Sequence, residues 1–360
     1  MLRLICLITI GILFWGCKKE SSPQEAPPLT VTEFINGMDI SSLPEIELTN
    51  PVFYDFEGNE KAFLDILDEA GVNYIRLRLW VDPVSAHSSL QEVKGFSDQL
   101  RQRGFKIWLT VHYSDTWADP GHQKIPDSWK NQSFSELITS VQEYTKQVVL
   151  EIKPEIIQIG NEINNGFLHP KGHLHDQPAQ FFKLMEAAIS EVRVHSPTSK
   201  IMLHYAGVNT APSFFLKMDS LDYDQIGLSY YPHWHGKDLN EINNNLEVLS
   251  NTFTQDLVIA ETAYPFTLGW NDWTQNIIGA NDQIIAPQFP ASPKGQADFL
   301  KTIKTMVKDL PTGLGLCYWG TELIAWKGPQ AQDGSPWENQ ALFDFNNRGL
   351  PALDVFAEDE

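Results

Sequence analysis

The chain has 360 residues, of which 42% are hydrophobic, 20% charged and 11% aromatic, a composition that excludes an intrinsically disordered protein. Its 46 Asp and Glu against 26 Lys and Arg give a formal net charge of −20. Such a surface repels phosphate backbones and anionic headgroups, which excludes nucleic acid as a partner; with no basic run, it also disfavours a polyanionic substrate.

Residues 1–16 read MLRLICLITIGILFWG, with Arg3 ahead of an apolar run from Leu4 to Trp15. About a dozen apolar residues fall short of the ~20 that span a bilayer and fit the core of a signal peptide. Phe14-Trp15-Gly16-Cys17 is similar to the cleavage box of a bacterial lipoprotein, with Cys17 as the lipidated residue. An ordinary secretory signal or an uncleaved anchor is the alternative. Residues 17–30, polar and proline-bearing, read as a flexible tether, 31–356 as one domain and 357–360 as a tail. The expectation is an exported monomer in the bacterial envelope, at the periplasmic face or the cell surface, touching the membrane through its lipid alone. Of three cysteines, Cys6 leaves with the signal and Cys17 carries lipid, so Cys317 remains as a buried small hydrophobe without a disulfide partner.

Beyond the tether, eight short apolar runs alternate with helix-length amphipathic segments. They are FINGMDIS (34–41), YIRLRLW (74–80), KIWLTVHYSD (106–115) and EIIQIGNE (155–162), then KIMLHYAG (200–207), QIGLSYYP (225–232), DLVIAETAYP (256–265) and GLGLCYWG (313–320). NEKAFLDILDEAG predicts a helix stopped by Gly71, and residues 179–196 predict another. This alternation implies parallel strands with right-handed crossovers, and eight units close as a single α/β (β/α)8 TIM barrel. An open doubly wound sheet is the alternative, but no glycine-rich turn follows the first run.

A barrel of this kind places its active site at the C-terminal strand ends. There the runs finish in Asp39, Arg78 and Trp80, His112 and Asp115, Asn161 and Glu162, His204, Tyr230 and Tyr231, Glu261, and Trp319. A glutamate closing an apolar strand is costly to bury alone, and two at one rim suit glycosidic cleavage, where one carboxyl protonates the leaving oxygen and the other attacks the anomeric carbon or activates water. Facing positions on the fourth and seventh strands predict a carboxyl separation of ~5–5.5 Å, that of a retaining double displacement. The HxH pair His173 and His175, with His169, lacks an acidic or Cys partner and reads as a loop beside the cleft rather than zinc ligands. A zinc amidohydrolase is disfavoured too, since the first strand ends Met38-Asp39 and not in His-x-His.

GMDISSLPEIE, AGVNYIRLRLWVDP, VHYSDTWADPGHQKIPDSW, QIGNEINNGFLHPKG, IGLSYYPHWHG, VIAETAYPFT and ENQALFDFNNRGLPAL run in order from Gly37 to Leu353. Together they resemble the family 53 endo-β-1,4-galactanases, retaining glycoside hydrolases that cut the neutral β-1,4-galactan of type I arabinogalactan and pectin side chains. The resemblance implies Glu162 as acid/base, Glu261 as nucleophile, and Arg76 as the arginine that steadies the nucleophile. Asn161 would bond the sugar 2-OH, and Tyr231 or Tyr230 would bond the nucleophile. Asp39, His112, Asp115 and His204 would lie near sugar hydroxyls, and Arg78 at the rim. Trp319 would underlie the sugar at the cleavage point, with Trp80, Trp117, Trp234, His235 and Trp326 along the cleft. Some relatives bind calcium after strand seven; TLGWNDWTQNIIGANDQ offers few closely spaced oxygens, so no metal or other cofactor is expected. Gly320 and Thr321 stand where many relatives have a Trp-Glu-Pro step, which leaves product length open. Two other readings compete: a retaining hydrolase or transglycosidase on another neutral β-glycan, and a non-catalytic glycan-binding lipoprotein.

Overall fold

YIRLRLW alternates apolar and cationic residues, and a strand sends alternate side chains to opposite faces. In the computed structural model, which describes residues 33–357, this run forms β2 (Tyr74–Leu79). Ile75, Leu77 and Leu79 join the large apolar cluster shared with the helices, while Arg76 and Arg78 are buried on the other face. The same division holds around the sheet. The remaining strands are β1 (Ile35–Asp39), β3 (Lys106–Val111), β4 (Ile156–Ile159), β5 (Lys200–Ala206), β6 (Gln225–Ser229), β7 (Asp256–Thr262) and β8 (Gly313–Trp319). They pair in chain order as a closed parallel barrel, and β8 returns to β1 with Asp39 beside Trp319. The fold is the expected (β/α)8 TIM barrel.

The strands stop short of the apolar runs: β3 ends at Val111, β4 at Ile159 and β6 at Ser229. The residues beyond leave the sheet and form loops at the barrel mouth, which frees their side chains for a ligand. The segments expected as signal and tether, and the tail beyond Ala357, lie outside the described residues. Among the described residues no helix is long and apolar enough to cross a membrane.

Helices α1 (Leu43–Glu47) and α2 (Phe63–Glu69) connect β1 to β2, and α3 (Leu90–Gln102), α4 (Phe134–Ile152), α5 (Pro178–His195) and α6 (Ala211–Lys217) follow the next four strands in turn. α7 (Pro232–His235) and α8 (Leu239–Thr252) follow β6, and α9 (Pro293–Lys308) follows β7. Their starts are written locally. Ser133 and Glu136 form a reciprocal capping box on α4, and Ser89, Asp238 and Ser292 cap α3, α8 and α9, each accepting from first-turn N–H groups that otherwise lack partners. Gly71, the expected stop of α2, takes φ +83°, a left-handed conformation that glycine adopts without steric cost.

Inside the barrel a second, smaller apolar cluster gathers Ile35, Trp108, Ile156, Met202, Val258, Ala260 and Cys317. Cys317 is fully buried there, as expected of a small hydrophobe. Room for the Met202 side chain comes from Gly227, where a Cβ would stand 2.5 Å from Met202 Sδ. This plug closes the barrel, and polar side chains fill the layer above it.

One departure from regularity decides the site. Leu228 pairs with Ile259, but the next residue, Ser229, pairs with Glu261, so Ala260 is a bulged extra residue. Val258 and Ala260 both face the interior cluster and Ile259 the outer one. Strict alternation would then turn Glu261 outward; the bulge turns it inward instead.

Candidate active site

The buried guanidinium of Arg76 organises the polar layer. Its Nη1 donates to Asp39 Oδ2 at 2.7 Å, and its Nη2 donates to Glu261 Oε1 at 2.8 Å and to Asn161 Oδ1 at 2.9 Å. Asp39 is fixed in turn, because its Oδ1 accepts from the Ser41 backbone N–H and hydroxyl. The other oxygen of Glu261 accepts from Tyr231 OH at 3.0 Å. This decides between the two tyrosines: Tyr230 points away, bonds Gly236 O and stacks on Phe299.

Glu162 lies past the end of β4 with φ +48°, a left-handed conformation uncommon for a side-chain-bearing residue. It is held there by stitches on either side, from Gly160 N–H to Val111 O and from Ile163 N–H to His204 O. Ser229 donates to its Oε1 at 2.6 Å. One carboxylate oxygen each of Glu162 and Glu261, and a ring nitrogen of His204, lie within 4.8 Å of one another.

The two carboxyls have unlike surroundings. Burial pushes both up, but Arg76 and Tyr231 oppose it at Glu261. At Glu162 burial, followed by the nearby charge of Glu261, raises the carboxyl to about 8. The shared proton therefore belongs on Glu162, and Glu261 is the anion.

These residues line a cleft of about 690 Å³. Of the expected residues, Asp39, Arg76, Arg78, His112, Trp117, Asn161, Glu162, Tyr231, Trp234, His235, Glu261, Trp319 and Trp326 all line it. His112 accepts the Ala118 N–H at Nδ1, and burial with the charges of Arg78 and Arg76 keeps its ring neutral, so its hydrogen sits on Nε2. Asn161 spends one amide hydrogen on Ala118 O, leaving the second for a ligand. Trp117 packs against Trp319 with the rings tilted by 60° and centroids 6.0 Å apart, and the Arg78 guanidinium sits 3.8 Å from the Trp117 ring centre. Trp117 and Trp234 are 44% and 49% exposed, which leaves indole faces open to the C–H faces of a sugar.

Four expected residues stand elsewhere. Asp115 accepts from the backbone N–H of Asp82 and of Asp127, clamping two loops, because its strand ends earlier than its apolar run. Trp80 is buried behind Trp117, 5.7 Å between centroids, as support rather than surface. His204 lies beneath Glu162 among Gln158, Asn161 and Ser229. Tyr230, as above, faces the helices. His169, His173 and His175 lie in the loop after β4 with tilted rings at centroid spacings of 4.6 and 6.0 Å; Asp176, 3.2 Å from His173 Nδ1, is an acidic neighbour the sequence reading lacked, and the three histidines line no part of the cleft.

Several residues escaped the sequence reading. Trp337 lies 4.6 Å from Trp319 and 5.6 Å from Tyr231 between ring centroids, forming a cleft wall; its signal is a second Trp, after Trp326, in the loop following strand eight. Asp119 lines the cleft, and Ser229 and Gln158 lie under it, all within segments already recognised. Glu322 is buried behind the cleft-lining Ser42, whose N–H donates to its Oε1 at 2.9 Å.

Among the described residues, Glu162, His204 and Glu261 are the one trio of ligating side chains close enough to share an ion. Arg76 on Glu261 and the Ser229 hydroxyl between the other two already occupy those atoms, so the trio is built for protons. Asp272 and Asn276 after β7, and Glu338 after β8, each leave one buried side-chain oxygen without a hydrogen-bond partner.

A closed barrel with an acid and an anion paired at its C-terminal rim, inside an aromatic cleft, defines a (β/α)8 glycosidase. The chain belongs to glycosyl hydrolase family 53, whose family model matches residues 35–356. It is 32% identical over 351 residues to an arabinogalactan endo-β-1,4-galactanase of Cellvibrio japonicus, spanning 91% of this chain and 92% of that one. An uncharacterized Niallia circulans protein from the bgaB 5′ region is 35% identical over 341 residues, 89% of this chain and 92% of that one. The solved Ignisphaera aggregans GH53 catalytic domain matches with a TM-score of 0.84 at 38% identity, covering 91% of this chain and 97% of that one.

Proposed function

We propose that the chain is an endo-β-1,4-galactanase that cleaves neutral β-1,4-galactan by double displacement. The observation that carries the mechanism is the unequal pairing of two close carboxyls, with Arg76 and Tyr231 bonded to Glu261 alone. One oxygen of each carboxyl lies within 4.8 Å of the other, a close approach that suits direct attack on the anomeric carbon.

Glu261, anionic beside Arg76, attacks the anomeric carbon as Glu162 gives its proton to the departing glycosidic oxygen. The C–O bond to the leaving sugar breaks as the Glu261–carbon bond forms. Esterification removes the Glu261 charge that helps to raise Glu162, so Glu162 becomes the base that takes a proton from water. Water then replaces Glu261 on the sugar, and both carboxyls return to their first states. Asn161 offers its remaining amide hydrogen to the 2-OH, and His112 Nε2–H is a donor to a further hydroxyl.

The aromatic walls and the net negative charge both favour a neutral glycan. The choice of galactan rests on the family and on relatives named as galactanases. Reducing-sugar release from galactan, xylan, mannan and β-glucan tests it. Activity confined to galactan is expected; turnover of another member with none on galactan overturns it, and dominance of longer products over reducing ends favours a transglycosidase. For cellular placement we infer export and lipidation at Cys17, supported by the apolar run and the Gly16-Cys17 step.

A further inference from the structure

Ser229 and His204 have no part in the chemistry above, yet they grip its acid. Ser229 Oγ lies 2.6 Å from Glu162 Oε1 and 2.9 Å from His204 Nε2. The hydrogens in this chain can be assigned from the other ring nitrogen. His204 Nδ1 faces the backbone N–H of Glu162 at 3.3 Å and Gln158 Nε2 at 2.9 Å. The Gln158 amide cannot be reversed, because its oxygen receives Arg76 Nε and Nη2 and the Thr110 hydroxyl. Asn161 Oδ1 is also 3.1 Å from Nδ1, but it already accepts from Arg76 at 2.9 Å and Gln158 at 3.0 Å. Nδ1 is therefore an acceptor. A neutral imidazole then carries its hydrogen on Nε2 and donates it to Ser229, so the serine hydrogen is left for Glu162. Burial, with the charge of Arg76 beside it, keeps this imidazole neutral.

We propose that Ser229 and His204 are positioning residues that hold Glu162 Oε1 as a permanent acceptor and so assign the acidic proton to Oε2. The inference rests on Glu162 being the acid/base. A carboxyl with both oxygens unheld can carry its proton on either one and rotate about its last bond. Here one oxygen is tied to the barrel, and the proton is left on the oxygen the serine does not hold. After transfer, the same hydroxyl still donates to Oε1 of the carboxylate, so the group keeps its plane for the second half-reaction. The charged and titratable groups facing Glu162 are Glu261 on β7, Arg76 on β2, Tyr231 after β6, Asp119 in the loop after β3 and His204 on β5. Removing the neutral serine leaves all of these charges in place.

Ser229→Ala tests the proposal through the pH dependence of kcat/KM on galactan and on an aryl β-galactoside with a dinitrophenolate leaving group. The serine hydrogen bond favours the ionised carboxyl, so its loss should move the alkaline limb on galactan to higher pH by about one unit. kcat/KM on galactan should fall about tenfold, a part of what general acid catalysis contributes. On the aryl substrate, whose leaving group departs without a proton, the loss should stay under about twofold. Ser229→Cys, nearly isosteric and a weaker donor, should shift the limb part of the way and replaces the alanine variant if that one does not fold. Equal losses on both substrates with an unmoved limb would mean a merely structural serine and overturn the proposal. Glu162→Gln is measured alongside. If it keeps the wild-type alkaline limb, the acid assignment itself fails; if the limb goes with Glu162 but ignores Ser229, only the positioning role fails.

Discussion

Arg76 Nη2 and Glu261 Oε1 meet at 2.8 Å across 185 positions of sequence, one from the second strand and one from the seventh. This contact separates the paired carboxyls into an anion and an acid. Because Arg76 also holds Asp39 and Asn161, a loss at Glu261 leaves the guanidinium paired.

Glu261→Ala should therefore fold and yet lose galactan turnover by ~10³-fold or more, the scale for a nucleophile. Circular dichroism and reducing-sugar release check the two halves. A folded variant with the wild-type rate removes Glu261 from the mechanism.

Fresh cleavage products should keep the β configuration, since Glu261 is held as an anion close to the acid Glu162 and placed for direct attack. Anomeric proton NMR in the first minutes of digestion reads this directly, and initial α-product contradicts double displacement.

Glu322 should make the fold lose stability as pH rises. Burial, then the charge of Asp39, raises its carboxyl from 4.5 to about 8. Between those values the folded chain keeps a proton that the unfolded chain has released, so its contribution turns unfavourable through that window. Glu322→Gln removes the titration. Its Tm relative to wild type should rise from about pH 5 to about pH 9; a constant difference excludes Glu322 as the source.

Asp115→Ala should lower Tm while leaving kcat on galactan within about twofold, because the carboxylate bonds two loop N–H groups and lies off the cleft. A large kcat loss at unchanged Tm would restore it to the substrate's side.

Cys17→Ser should move the protein from the membrane fraction to the soluble fraction, since the lipid would be its anchor. Continued sedimentation with membranes would favour an uncleaved segment at residues 4–15.

The barrel was legible because each strand carries its own apolar run, and the paired glutamates because they close two of those runs. Legibility failed where the answer depends on register or on loops. Asp115 and Trp80 sit in recognised segments, but loop paths decide whether a side chain reaches the cleft or braces it. Trp337 arrives from a loop with no periodicity to place it. The two tyrosines were decidable in principle: Ile226 and Leu228 face the helices, so the alternation carries Tyr230 outward and Tyr231 inward. Glu261 is the opposite case. Alternation from Val258 gives the wrong face, and nothing in DLVIAETAYP announces the extra residue at Ala260.

That bulge means β7 is read in two frames, one for packing up to Ile259 and another for catalysis from Glu261 onward. Regular pairing of the same seven residues, without the bulge, would send the carboxylate toward the helix layer and leave Arg76 without its Glu261 partner. Deleting Ala260 would instead remove the bulge and keep the carboxylate inward, because the position after outward Ile259 is an inward one. A homologue one residue shorter here can therefore keep its nucleophile in place. Alignment of the glutamate with Ser229 on the neighbouring strand, and not its distance from Val258, is the mark that carries over.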